Sequence, residues 1–282
     1  MINLYSSHAY SGHSDKRKKL GDALKYDIAD ELWLSVFCDV PGFFDKIFPV
    51  NNALITKVFD ELSKPGGVYV KTGKYHHWAG YPCKRVVNEA TLNSRFLKLA
   101  GAIIECLGHS NILTNGLQWH IHSGITPSTR DPYLPDIKPD IVATLESSKR
   151  GAAVVPQPWS RIVVPIAVKN RTSATQGPAL LQLLKHVRMI FRESPDRCFV
   201  LGAVLSFSSM AVYLADRTGV VGSNTFNIHE VSTAVHVHCL CLTVCLGPEI
   251  VHPRHHRNHD IVPRASWLRH VANAGTYDEA IR

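Results

Sequence analysis

Residues 161–169 read RIVVPIAVK, an apolar and largely β-branched run closed by a single lysine. A segment of that length and composition is a strand rather than a helix, and it needs neighbours to cover it. Candidate strands lie on both sides: Gly116 to Ile121 and Asp140 to Leu145 before it, and Phe199 to Ser206 with Met210 to Ala215 after it, the last two reading as a hairpin. Between them, TQGPALLQLLKHVRMIF places Leu180, Leu184, Val187 and Ile190 at helical spacing. Strands, a central strand, a helix and more strands predict an α/β (α+β) layered domain, a central sheet flanked by helices, over roughly residues 80 to 245.

Three further helices are expected upstream. Ser14 is placed to cap a pattern with Leu20, Leu24, Ile28 and Leu32 at four-residue spacing, and Pro41-Gly42 breaks the chain after it. The stretch NNALITKVFDELSK follows, ended by Pro65-Gly66-Gly67. The third, NEATLNSRFLKLAGAIIECL, carries Leu92, Phe96, Leu99, Ile103 and Leu107 as one stripe, with Glu89 at its start.

The chain of 282 residues is ordinary globular material and contains no apolar run long enough to span a bilayer, nor the apolar stretch of a secretory signal at its start. An intracellular protein, cytoplasmic or nuclear, with no membrane partner, is expected. Seven cysteines scattered through apolar segments fit reduced thiols better than a disulfide framework. Cys239, Cys241 and Cys245 lack zinc-knuckle spacing and read as core thiols. The net charge of +8 favours a polyanionic partner in principle, but much of it sits in DKRKK near the start and HPRHHRNHD near the end. His252, His255, His256 and His259 read as a polar linker.

The chemistry worth weighing lies around the central strand. Metal-dependent restriction-type nucleases use an Asp on one strand, (Asp or Glu)-X-Lys on the next and a Glu on a preceding helix; the carboxylates hold Mg²⁺ and the lysine acts on the attacking water. Here Glu89, Asp140, Lys169 and, on the following helix, Gln182 stand in that order. Where the second carboxylate belongs, the chain has Ala167. Strand alternation puts Ala167 and Lys169 on one face and Val168 and Asn170 on the other, so Asn170 does not replace it without a bulge. A metal held by such a set would rest on Glu89 and Asp140. The bland reading of the same residues is a lysine reaching water from the end of a buried strand.

Other residues have plain structural readings. Trp119 and Trp159 are expected in or at the rim of the core, Asp216-Arg217 before Thr218-Gly219 reads as a hairpin turn with a local ion pair, and His120 and His122 share one strand face, where a metal would need further ligands.

The segment LKHVRMIFRESPDRCFVLGAVLSFSSMAVYLADRTGVVGSNTFNIHE resembles the region just before the catalytic lobe in the fungal-type protein kinase family, densely from Gln182 to Ile228. KPDIVAT, Trp159 and VPIAVKN also resemble that family's N-terminal half, which is itself similar to the PD-(D/E)XK nuclease-like fold. The resemblance implies a nuclease-like domain over 79–247, preceded by an N-terminal helical region over 1–78 and followed by a basic, histidine-rich tail over 248–282 that resembles the truncated start of a kinase lobe. The Gly-rich phosphate loop, strand lysine, His-Arg-Asp and Asp-Phe-Gly of a kinase are missing; HHRNHD offers only His256-Arg257-Asn258, and in IVPRASWLRH Arg264 stands where the lysine would. The expected function is a non-catalytic module, regulatory or binding, with no cofactor and with a nucleic acid or a protein as the open partner classes. The alternative is a Mg²⁺-dependent phosphodiesterase with a degenerate site.

Overall fold

A computed structural model describes residues 24, 27, 28, 30, 35–47, 52–72, 75–82, 88–109, 117–129, 135–145, 156–170 and 176–230. In chain order these form β1 (Val36–Phe37), α1 (Phe43–Ile47), α2 (Asn52–Leu62), β2 (Tyr69–Thr72), β3 (Tyr75–Trp78), α3 (Glu89–His109), β4 (Leu117–Ile121), β5 (Ile141–Leu145), a short 3-10 turn at Trp159–Arg161, β6 (Ile162–Lys169), α4 (Gln176–Glu193), β7 (Phe199–Ser206), β8 (Ser209–Asp216), β9 (Val220–Gly222) and β10 (Phe226–Asn227). Among the described residues no helix is long and apolar enough to cross a membrane.

An eight-stranded mixed sheet runs β1-β9-β8-β7-β6-β5-β4, with β10 also pairing β8. The apolar run at 162–169 is its centre: β6 pairs antiparallel with β5 and parallel with β7, and α4 is the crossover that a parallel pair requires. Pro165, unable to donate to a ladder, sits opposite Val142, and pairing with β7 begins one residue later at Ile166↔Ala203.

Side-chain alternation splits the core into two layers. Val164, Ile166 and Val168 of β6 join Ile141, Ala143, Leu201, Ala203 and Leu205 in a cluster completed by Leu92, Phe96, Leu99, Ile103 and Leu107, the predicted stripe of α3. On the opposite face Ala167, Val142, Val200 and Val204 pack with Leu183, Val187 and Ile190 of α4, with Trp159 and with Ile28. The helix sits close to the sheet because Gly202 has no side chain: a Cβ there would lie 2.8 Å from Leu183 Cδ1 and 3.2 Å from the Pro165 carbonyl.

The mixed α/β architecture with helices on both sides of a large sheet agrees with the sequence reading. A helical region is expected up to residue 78, but the described residues there also hold three strands. β1 joins the main sheet beside β9 through Val36↔Val220, and β2 and β3 form a separate hairpin. The expected helix from Ser14 is described at Leu24, Asp27, Ile28 and Asp30, whereas Leu20 and Leu32, the cysteines at 239–245 and the 248–282 tail lie outside the described residues.

Candidate functional site at the carboxyl end of the central strand

Each side chain of the candidate site is brought in by a separate element. Asn88 caps α3, its Oδ1 accepting the Thr91 N–H at 2.8 Å, which fixes Glu89 in the first helical turn. A carboxylate is electrostatically favoured there. Asp140 immediately precedes β5, Lys169 is the last residue of β6, and Gln182 lies in the second turn of α4.

These four residues meet. Asp140 Oδ2 accepts the Val168 backbone N–H at 2.8 Å and the Gln182 Nε2–H at 3.1 Å, and Lys169 Nζ stands 3.8 Å from Glu89 Oε1. Burial pushes the Asp140 carboxyl above its usual range, with Glu89 adding to the rise, while the Val168 N–H, Lys169 and Gln182 pull it back. The Glu89–Lys169 pair is partly exposed, with about a third of each side chain or more in solvent, and contributes little to stability.

Position 167 decides what this arrangement can do. Ile166 pairs with Ile141, so one further step of the antiparallel register sets Ala167 beside Asp140. Its methyl group is fully buried among the α4 side chains. Among the described residues no group of three or more His, Cys, Asp or Glu side chains is placed to hold a metal ion.

His186 was not singled out in the sequence. It lies one helical turn beyond Gln182, an i+4 relation that was legible. Its imidazole is fully buried, with its ring centre 6.1 Å from that of Trp159, and neither ring nitrogen makes a well-formed hydrogen bond, although the Lys138 backbone lies near enough to favour the charged form. Burial pulls its pKa down to about 3, with Lys169 and Lys185 adding to the fall and the Lys138 backbone opposing it, so the ring is neutral.

The remaining predicted residues have structural surroundings. Trp159 is buried, and Trp119 packs edge-on to Phe96 at 5.5 Å. His120 Nε2 and Thr144 Oγ1 are 3.0 Å apart, and His122 is wholly buried. Asp216 closes the expected turn by accepting the Thr218 and Gly219 N–H groups, but Arg217 turns from it to donate to the Phe191 and Pro195 carbonyls.

A family model described as fungal protein kinase matches residues 138–247. That stretch is similar to a region of that family. It contains Asp140, Ala167, Lys169, Gln182 and His186, and it begins after Glu89. No curated protein and no solved structure matches the chain. The strands of the matched stretch are extended at both edges by elements outside it, β4 beside β5 and β1 beside β9.

Proposed function

We propose that this chain is the non-catalytic module of a fungal-type protein kinase, built on a nuclease-like fold with a lapsed cutting site, and that it binds a protein or nucleic acid partner in a regulatory role. The observation that supports this is the gathering of Glu89, Asp140, Lys169 and Gln182 at the end of the central strand, with a buried methyl group where a second strand carboxylate would stand. The residues present do not fit a resident Mg²⁺. A hard dication needs several oxygen ligands, whereas Asp140 Oδ2 is occupied by two N–H donors and Lys169 already supplies Glu89 with a cation. Phosphoryl transfer is not expected either, because the sequence has none of the parts that position and neutralise a γ-phosphate.

The convergence of the four side chains also favours a second reading, a Mg²⁺-dependent phosphodiesterase. One set of measurements separates the two: calorimetric Mg²⁺ titration, plasmid nicking and transfer from labelled ATP, on the unaltered chain, Asp140→Ala and Ala167→Glu. The expected results are very weak Mg²⁺ binding, no nicking and no transfer for the unaltered chain, and tighter Mg²⁺ binding for Ala167→Glu. Nicking by the unaltered chain that Asp140→Ala abolishes would establish the phosphodiesterase. Unchanged Mg²⁺ binding in Ala167→Glu would remove the nuclease-like interpretation of the site.

A further inference from the structure

The β2–β3 hairpin is fastened to the residues that follow β10 through one histidine. Trp78 donates its backbone N–H to His229 Nδ1 at 3.2 Å and its indole Nε1–H to the Ile228 carbonyl at 2.7 Å, and the Tyr69 hydroxyl donates to the His229 carbonyl at 3.0 Å. His229 Nε2 lies 3.3 Å from the Pro82 carbonyl. A backbone N–H donates only to a bare ring nitrogen, which fixes the neutral tautomer with its proton on Nε2. Trp78, Tyr69 and His229 are all buried, so a lost acceptor here is not replaced freely by water.

We propose that His229 is an acid-operated latch: a proton taken up on Nδ1 removes the acceptor of the Trp78 amide, sets two N–H groups against each other, and frees the hairpin from residues 228–230. The groups around it oppose a charge. His77 on β3 has its ring 6.5 Å away, the Tyr81 ring is at 5.5 Å, and the Tyr69 hydroxyl is spent on the His229 carbonyl. Glu230, the next residue in the chain, is exposed. Burial holds the His229 pKa below its ordinary value, with His77 adding to the fall and the Pro82 carbonyl opposing it. The latch is therefore closed above the ordinary histidine pKa of about 6.5 and opens as pH falls below it toward the depressed folded value. Opening would unfasten the N-terminal hairpin from the family region, a structural response independent of any cutting or kinase chemistry.

The test is amide hydrogen exchange on the full chain, expressed as protection factors corrected for intrinsic exchange, at about pH 7.5 and about pH 5, the range over which histidine charge changes. The Trp78 amide is expected to lose about tenfold or more in protection on acidification, the acceptor of its hydrogen bond being removed, while the β7 amides keep theirs. In His229→Asn, whose Oδ1 accepts the same N–H and does not titrate, the loss should vanish; in His229→Ala, Trp78 protection should be low at both values. Unchanged Trp78 protection in the unaltered chain, the same loss in His229→Asn, or an equal loss in β7 would overturn the latch. Should the variants not fold, the unaltered chain still decides by nitrogen NMR: the proton at neutral pH belongs on Nε2, and finding it on Nδ1 refutes the proposal.

Discussion

Replacing His186 by leucine tests whether the fold carries an energetic burden beside the candidate site. Leucine is close to histidine in volume and meets the same wall of Trp159 and α4 without polar atoms. The two ring nitrogens are buried without a well-formed hydrogen bond, and an unsatisfied buried polar group costs about 1–3 kcal/mol. His186→Leu should therefore raise stability by an amount of that order, and a domain of this size gains about 2–4 °C in Tm per kcal/mol. The pH dependence gives a second readout. The folded pKa of about 3 lies below the ordinary 6.5, so the unfolded chain binds a proton that the folded chain refuses. The contribution is fully present above about pH 6.5 and falls by about 1.4 kcal/mol per unit as pH drops toward 3. Thermal melts by circular dichroism from neutral pH to about pH 4 should show a higher Tm for His186→Leu and a shallower acid limb, with the remainder carried by His122 and His229, whose pKa values are also lowered by burial. A lower Tm with an unchanged acid slope would refute the reasoning, because it would mean that the imidazole is hydrogen-bonded, through water or the Lys138 backbone, and titrates normally.

Three further substitutions probe the sheet. Lys169→Ala should shift Tm by no more than about 4 °C, since a partly exposed pair is worth about a kcal/mol at most, whereas Leu201→Asp, at a residue 1% exposed in β7, should abolish soluble protein; equal tolerance of both in a solubility and melting comparison would mean that the strand is wrongly placed. Gly202→Ala should cost about 1–3 kcal/mol in denaturant titration, because its Cβ would press on Leu183 and the Pro165 carbonyl; a neutral result would show that α4 rides higher over the sheet.

The elements that were legible are those whose burial writes a period into the sequence. The α3 stripe from Leu92 to Leu107 and the β7–β8 hairpin are close to their expected bounds because α3 packs one regular face onto a core layer and the hairpin is a nearly continuous apolar run buried on both faces. The β2–β3 hairpin went unread, since YVKT and YHHW offer little apolar alternation and its anchors are hydrogen bonds to residues about 150 positions away. β1 is two residues long, and its partner β9 is known only once the sheet is assembled. In the candidate site, residue order suggested the convergence of Glu89, Asp140, Lys169 and Gln182. His186 stayed hidden because an imidazole on the inner face of a helix reads as core until its lack of a well-formed hydrogen bond is seen.

Asp140 bears on which chemistry the site was shaped for. The carboxylate ties the start of β5 to the end of β6 through the Val168 N–H and to α4 through Gln182, and a neutral asparagine oxygen could accept the same two bonds. What the charge adds is a cost: burial raises the Asp140 pKa, so its contribution to stability declines as pH rises above the ordinary carboxylate value near 3.8. Neighbouring Glu89 adds to that cost, and Lys169 offsets part of it. The fold's hydrogen bonds therefore explain an acceptor at position 140 but not an anion. A half-buried anion beside a second carboxylate and a lysine suits a place that faces positive charge, in keeping with the nuclease-like reading proposed above, and the Ala167 methyl occupies the adjacent strand position where that reading would need a second carboxylate.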